Sequence, residues 1–62
     1  MIIRFNLADN YRFTIFYGNQ YWEKLINDLW RNHKEEGPAY IGKSGNKYWY
    51  VNGKYIKEEY PK

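Results

Sequence analysis

Cysteine is absent from the 62 residues, histidine occurs only at position 33, and proline appears twice. Without cysteine there is no disulfide and no thiolate metal site. One histidine cannot build a zinc site alone. No stretch approaches the roughly 18 apolar residues of a membrane span, and Met1–Phe5 lacks the apolar run of a signal peptide. These absences lead us to expect a soluble protein of a reducing cytoplasm with no membrane partner. Catalytic patterns are missing too. Gly42-Lys43-Ser44-Gly45 does not have the spacing of a phosphate loop. No nucleophile–base pair is evident, and Glu35/Glu36 and Glu58/Glu59 read as solvated acidic turns. The expectation is a chain that is not an enzyme and carries no cofactor and no metal.

Aromatic residues are plentiful: three Trp, eight Tyr and three Phe. A domain this short buries only about 60% of the surface of its unfolded chain. Each ring can bury roughly 150–250 Å², so aromatics are the natural source of a core. Net charge is +3. The segment from Lys43 to Lys57 holds four lysines (43, 47, 54 and 57) and no acid, while the acids sit on either side of it.

Ile3, Phe5 and Leu7 alternate with Ile2, Arg4 and Asn6, and Tyr11, Phe13, Ile15 and Tyr17 alternate with Arg12, Thr14 and Phe16. Period two marks half-buried strands, and Ala8-Asp9-Asn10 between them reads as a turn. An N-terminal β-hairpin is predicted. Trp22, Leu25, Ile26, Leu29 and Trp30 then recur at helical spacing, behind Asn19 as N-cap and ahead of Gly37-Pro38 as a stop. This predicts an amphipathic helix over about 20–33. The last third predicts three strands, 39–42, 47–51 and 54–57, with Ser44-Gly45-Asn46 and Asn52-Gly53 as turns. The resulting class is α+β, a single domain (1–62) of order ββαβββ, ending in a three-stranded antiparallel meander.

The Asn52-Gly53 loop sets Val51 opposite Lys54, Tyr50 opposite Tyr55 and Trp49 opposite Ile56. A three-residue turn at 44–46 sets Ile41 opposite Trp49 and Tyr40 opposite Tyr50. One face then carries Ala39, Ile41, Trp49, Val51 and Ile56, a core for the helix stripe to cover together with Phe5, Phe13 and Ile15. The other carries Tyr40, Tyr48, Tyr50, Tyr55 and Lys57 and looks outward. Tyrosine is common at binding hot spots, so these four tyrosines with Lys43, Lys47, Lys54 and Lys57 are the predicted partner-binding set.

Lys34-Glu35-Glu36-Gly37-Pro38 returns 23 positions later as Lys57-Glu58-Glu59-Tyr60-Pro61. With His33, Ala39, Gly45 and Trp49-Tyr50-Val51-Asn52-Gly53-Lys54, this stretch resembles a MORN-like hairpin repeat of phage and bacterial proteins. One unit and a fragment are present. Ile56 stands at the next His position and Tyr60 at the next Gly, so the array is not continued. The resemblance implies β-hairpin units in series and a phage-type context, and it carries no general activity. Size, missing chemistry and the tyrosine face then point to a binder of a host protein or nucleoprotein complex in the host cytoplasm. The reading is a steric, anti-defence inhibitor (anti-CRISPR-like, against a nuclease complex) or an adaptor. The alternative is a single-stranded nucleic-acid module using lysines and stacked aromatics. Self-association through a strand edge is a third expectation.

Overall fold

Paired residues of positive φ mark where the chain reverses. They are Tyr17 (49°) with Gly18 (86°), Asn27 (51°) with Asp28 (63°), and Asn52 (52°) with Gly53 (81°). Two consecutive positive φ values define the type I′ turn, whose twist matches that of antiparallel strands. In the computed structural model, which describes residues 1–61, these turns join strands of one antiparallel sheet. The strands are β1 (Ile2–Ala8), β2 (Tyr11–Phe16), β3 (Asn19–Ile26), β4 (Leu29–Asn32), β5 (Tyr40–Ile41), β6 (Lys47–Val51) and β7 (Lys54–Glu59).

The sheet runs β1-β2-β3-β5-β6-β7, with β4 also pairing β3. β4 faces the second half of β3 (Glu23↔Asn32, Leu25↔Trp30) and β5 faces the first half (Gln20↔Ile41, Tyr21↔Tyr40). They are two parts of one line. His33 N–H donates to the Trp22 carbonyl and Trp22 N–H donates to the Ala39 carbonyl. The chain therefore leaves that line after His33, loops through Glu35-Glu36-Gly37-Pro38, and rejoins it at Ala39.

The predicted helix over 20–33 is overturned: the class is all-β, not α+β, and no helix occurs among the described residues. The residues at helical spacing divide between the two sheet faces. Trp22 and Ile26 lie on one face, and Leu25 and its partner Trp30 on the other. Two signals decide the competition. Asn27-Asp28 supplies the double positive φ of a hairpin turn, as Asn52-Gly53 does further on. Residues 19–26 also include Tyr21, Trp22 and Ile26, which are good strand formers. The motif Gly-Asn-x-Tyr-Trp moreover occurs twice, at Gly18–Trp22 and Gly45–Trp49, and both copies enter a strand from a glycine of positive φ.

The C-terminal meander differs in register. Tyr40 pairs Tyr48 and Ile41 pairs Lys47, two residues from the expected positions, because the reversal uses Gly42–Asn46 with Gly42 N–H bonded to the Asn46 carbonyl. A shift of two keeps every side chain on its predicted face. Val51↔Lys54 and Tyr50↔Tyr55 are as read, but a bulge on β7 sets Trp49 opposite Lys57, not Ile56.

No second layer covers either face. Ala39 is the one buried apolar side chain among the described residues, and Thr14 and His33 are the buried polar ones. The core expected under a helix is an open face instead. Cohesion comes from cross-strand pairs, each worth about 0.2–1 kcal/mol, and from the seat of the 52–53 turn. There Gly53 N–H donates to the Asn32 carbonyl (2.8 Å). A methyl group at Gly53 would lie 2.8 Å from Arg31 Cδ and 3.0 Å from its Cβ, at a φ of +81°. Gly53→Ala is expected to cost about 1–2 kcal/mol from backbone handedness alone, read as a lower urea midpoint.

Candidate functional site

Register places two chemically distinct faces back to back. The first is a tyrosine face. Tyr21, Tyr40 and Tyr48 stand side by side on β3, β5 and β6, with ring centroids 4.7 and 5.2 Å apart. Tyr60 meets Tyr48 edge-on at 6.3 Å, and Tyr50 meets Tyr55 edge-on at 5.8 Å. Partial burial first, and then neighbouring Tyr40, raise the pKa of Tyr21. The Tyr55 hydroxyl donates to Glu58 Oε1 at 2.5 Å. That bond is the main reason its pKa is pushed up to about 12.

The same face continues into a polar cluster on β1 to β3. Arg12 Nε donates to Glu23 Oε1 (3.0 Å), and Thr14 Oγ1 donates to the same oxygen (3.4 Å). The Arg12 guanidinium also covers the Trp30 ring at 4.1 Å. Arg4 and Arg12 are offset by Glu23 and Glu58, so this face is charge-balanced by register.

The second is a tryptophan face. Phe5, Phe13 and Trp22 form a row across β1, β2 and β3, with centroids 6.0 and 4.6 Å apart. Lys34 Nζ sits 3.9 Å from the Trp22 ring centre, and Lys57 Nζ 4.5 Å from that of Trp49. Lys24, Arg31, Lys47 and Lys54 project on this side as well, with Glu59 as the strand acid among them. A shallow groove of about 260 Å³ runs past Leu7, Tyr11, Trp22, His33, Lys34 and Glu35.

His33 forms the wall of that groove. It is 4% exposed, and its Nδ1 accepts a hydrogen bond from the Asn52 backbone N–H at 2.8 Å. The acceptor nitrogen carries no proton, so in the neutral ring Nε2 holds it, 3.8 Å from Glu35 Oε1. His33 is a clamp between β4 and the β6–β7 turn.

No protein-family model, curated protein or solved structure matches the chain. The site therefore has to be read from its own geometry.

Of the predicted set, the structure gathers Tyr40, Tyr48, Tyr50 and Tyr55 on one face. It does not bring the lysines to them. Lys47, Lys54 and Lys57 project on the tryptophan face, Lys57 because of the β7 bulge, and Lys43 lies in the turn after β5. Tyr21 joins the tyrosine row, and Phe5, Phe13 and Trp22 form the opposite row. The predicted helix concealed Tyr21 and the place of Trp22; the match of Gly18–Trp22 to Gly45–Trp49 is the signal that locates both.

Proposed function

We propose that the chain is a non-enzymatic binding module that blocks a host protein sterically, the tyrosine face being the contact surface. The observation that carries this reading is a cluster of Tyr21, Tyr40, Tyr48, Tyr50 and Tyr55 on a charge-balanced sheet face that nothing covers. Tyrosines offer a large amphipathic contact area with few rotatable bonds, so ordering them costs little entropy. A flat, rigid sheet suits occlusion of another surface. The phage-type hairpin motif points to a host defence complex of the nuclease class as the target, in the manner of an anti-CRISPR inhibitor. The lysines on the reverse face then govern solubility and not the contact.

A tagged pull-down from host lysate, with and without nuclease, tests this. The expected result is a protein band that survives nuclease and moderate salt. Tyr50→Ala should weaken capture by tenfold or more, the scale of a hot spot worth about 2 kcal/mol, while Lys57→Glu leaves it nearly unchanged. Circular dichroism of both variants reports whether the sheet is intact. Capture unaffected by Tyr50→Ala removes the tyrosine face from the reading.

The second reading is single-stranded nucleic acid on the tryptophan face. Lysine ammonium groups over both Trp22 and Trp49 favour it, since stacking platforms interleave cations with rings. Oligonucleotide titrations would then quench tryptophan fluorescence and weaken steeply with salt. Trp49→Ala and Lys57→Glu would abolish the effect, and Tyr50→Ala would not.

A further inference from the structure

The two edges of the sheet are built differently. Both edge strands carry a bulge, but β7 also carries Lys54, Lys57, Glu58 and Glu59, charges that discourage strand addition. β1 spans seven residues with one charge, Arg4, and leaves Ile3, Phe5 and Leu7 respectively 40%, 50% and 60% exposed. A long apolar edge of this kind is a template for another strand.

Its hydrogen-bonding phase follows from one contact. Tyr17 N–H donates to the Met1 carbonyl (3.1 Å), one step beyond the Ile2↔Phe16 pair. Antiparallel ladders alternate, so the odd residues of β1 bond inward to β2. Ile2, Arg4 and Asn6 direct their N–H and C=O groups out of the sheet.

We propose that two copies of the chain join antiparallel through β1, about a two-fold axis at Phe5. This register sets Phe5 beside Phe5 of the second copy and Ile3 beside its Leu7. Arg4 then exchanges backbone hydrogen bonds with Asn6 of the second copy. An axis at Arg4 would oppose two like charges, which destabilises a pair. An axis at Asn6 would run Arg4 into the bulge between Asn6 and Ala8. The Phe5 axis avoids the like-charge pair and keeps the Arg4–Asn6 hydrogen bonds clear of the bulge, which then falls at Leu7, at the end of the paired stretch. It also joins the Phe5–Phe13–Trp22 rows of the two copies into a single six-ring row across one continuous sheet, so each copy contributes half of the enlarged platform. The inference stands apart from the choice of partner, because it concerns the edge and not either face.

The absence of cysteine makes the test direct. Single variants Phe5→Cys, Leu29→Cys and Ile56→Cys place one thiol respectively on the axis, at another exposed apolar site and on the opposite edge. Light scattering on the unmodified chain is expected to give twice the 7.7 kDa chain mass. On mild oxidation Phe5→Cys should cross-link at least about tenfold faster than Leu29→Cys, because the dimer raises the local thiol concentration. In a second arm Ile3→Lys and Leu7→Glu are each expected to be monomeric and to recover the dimer when mixed. A single-chain mass at all concentrations, or fastest cross-linking of Ile56→Cys, overturns the proposal. An open-ended aggregate in place of a dimer overturns it as well.

Discussion

Trp22→Ala is expected to remove about 3 kcal/mol of stability, the largest effect of any single side chain here. Full burial would put the loss at about 3–5 kcal/mol, and Trp22 is only half-buried. Two specific contacts raise the figure for the exposed part. Its ring lies 4.6 Å from that of Phe13, and Lys34 Nζ lies 3.9 Å from its centre. Such contacts add about 0.5–1.5 and 0.5–1 kcal/mol respectively. A protein this size has a total stability of about 3–9 kcal/mol, so the variant loses between about a third and all of it. Urea melts followed by circular dichroism check this. Trp22→Phe, which keeps the ring contact with Phe13, should cost clearly less. A loss below about 1 kcal/mol for Trp22→Ala would mean that the aromatic row does not hold the sheet together.

His33→Leu is the second large effect, with an expected loss of about 2 kcal/mol. Leucine has similar bulk but no acceptor. The Asn52 N–H would be left without a partner beside a buried side chain, which costs about 1–3 kcal/mol. The signature is local: the Asn52 amide should lose its protection against hydrogen exchange, and the C-terminal hairpin should open before the N-terminal strands. Glu35→Ala should change stability by less than about 0.5 kcal/mol, because its carboxylate is 78% exposed and 3.8 Å from the ring. His33→Leu and Gly53→Ala act on the same seat, so their costs should not add. Additive losses would show that the clamp and the turn are independent.

The first hairpin is legible in the sequence, faces included, because Ile3, Phe5, Phe13 and Ile15 alternate without competition from any helical spacing. Asn52-Gly53 is legible because its turn chemistry is nearly unique. The stretch from Asn19 to Asn32 is not, because its apolar residues fall at helical spacing and do not alternate. Trp22, Leu25, Ile26, Leu29 and Trp30 fit a helix, and the same residues fit a hairpin once Asn27-Asp28 is granted positive φ. Local pattern alone does not settle that choice. The repeated Gly-Asn-x-Tyr-Trp motif does, since its second copy already reads as a strand. The tyrosine cluster is legible from alternation alone. The separation of the lysines from it is not fully legible, because Lys57 reaches the far face only through a bulge that no residue type announces.

The strand interrupted at Glu35–Pro38 has a kinetic consequence. Every other neighbouring pair of strands is consecutive in the chain and closed by a short turn, so most contacts form locally and folding should be fast. The β3–β5 pairing is the exception, since the whole β4 hairpin and the excursion must be in place before Tyr40 reaches Tyr21. The last step of folding, and the first of unfolding, is therefore the closing or parting of this seam, with the four strands β1–β4 on one side and the β5–β7 meander on the other.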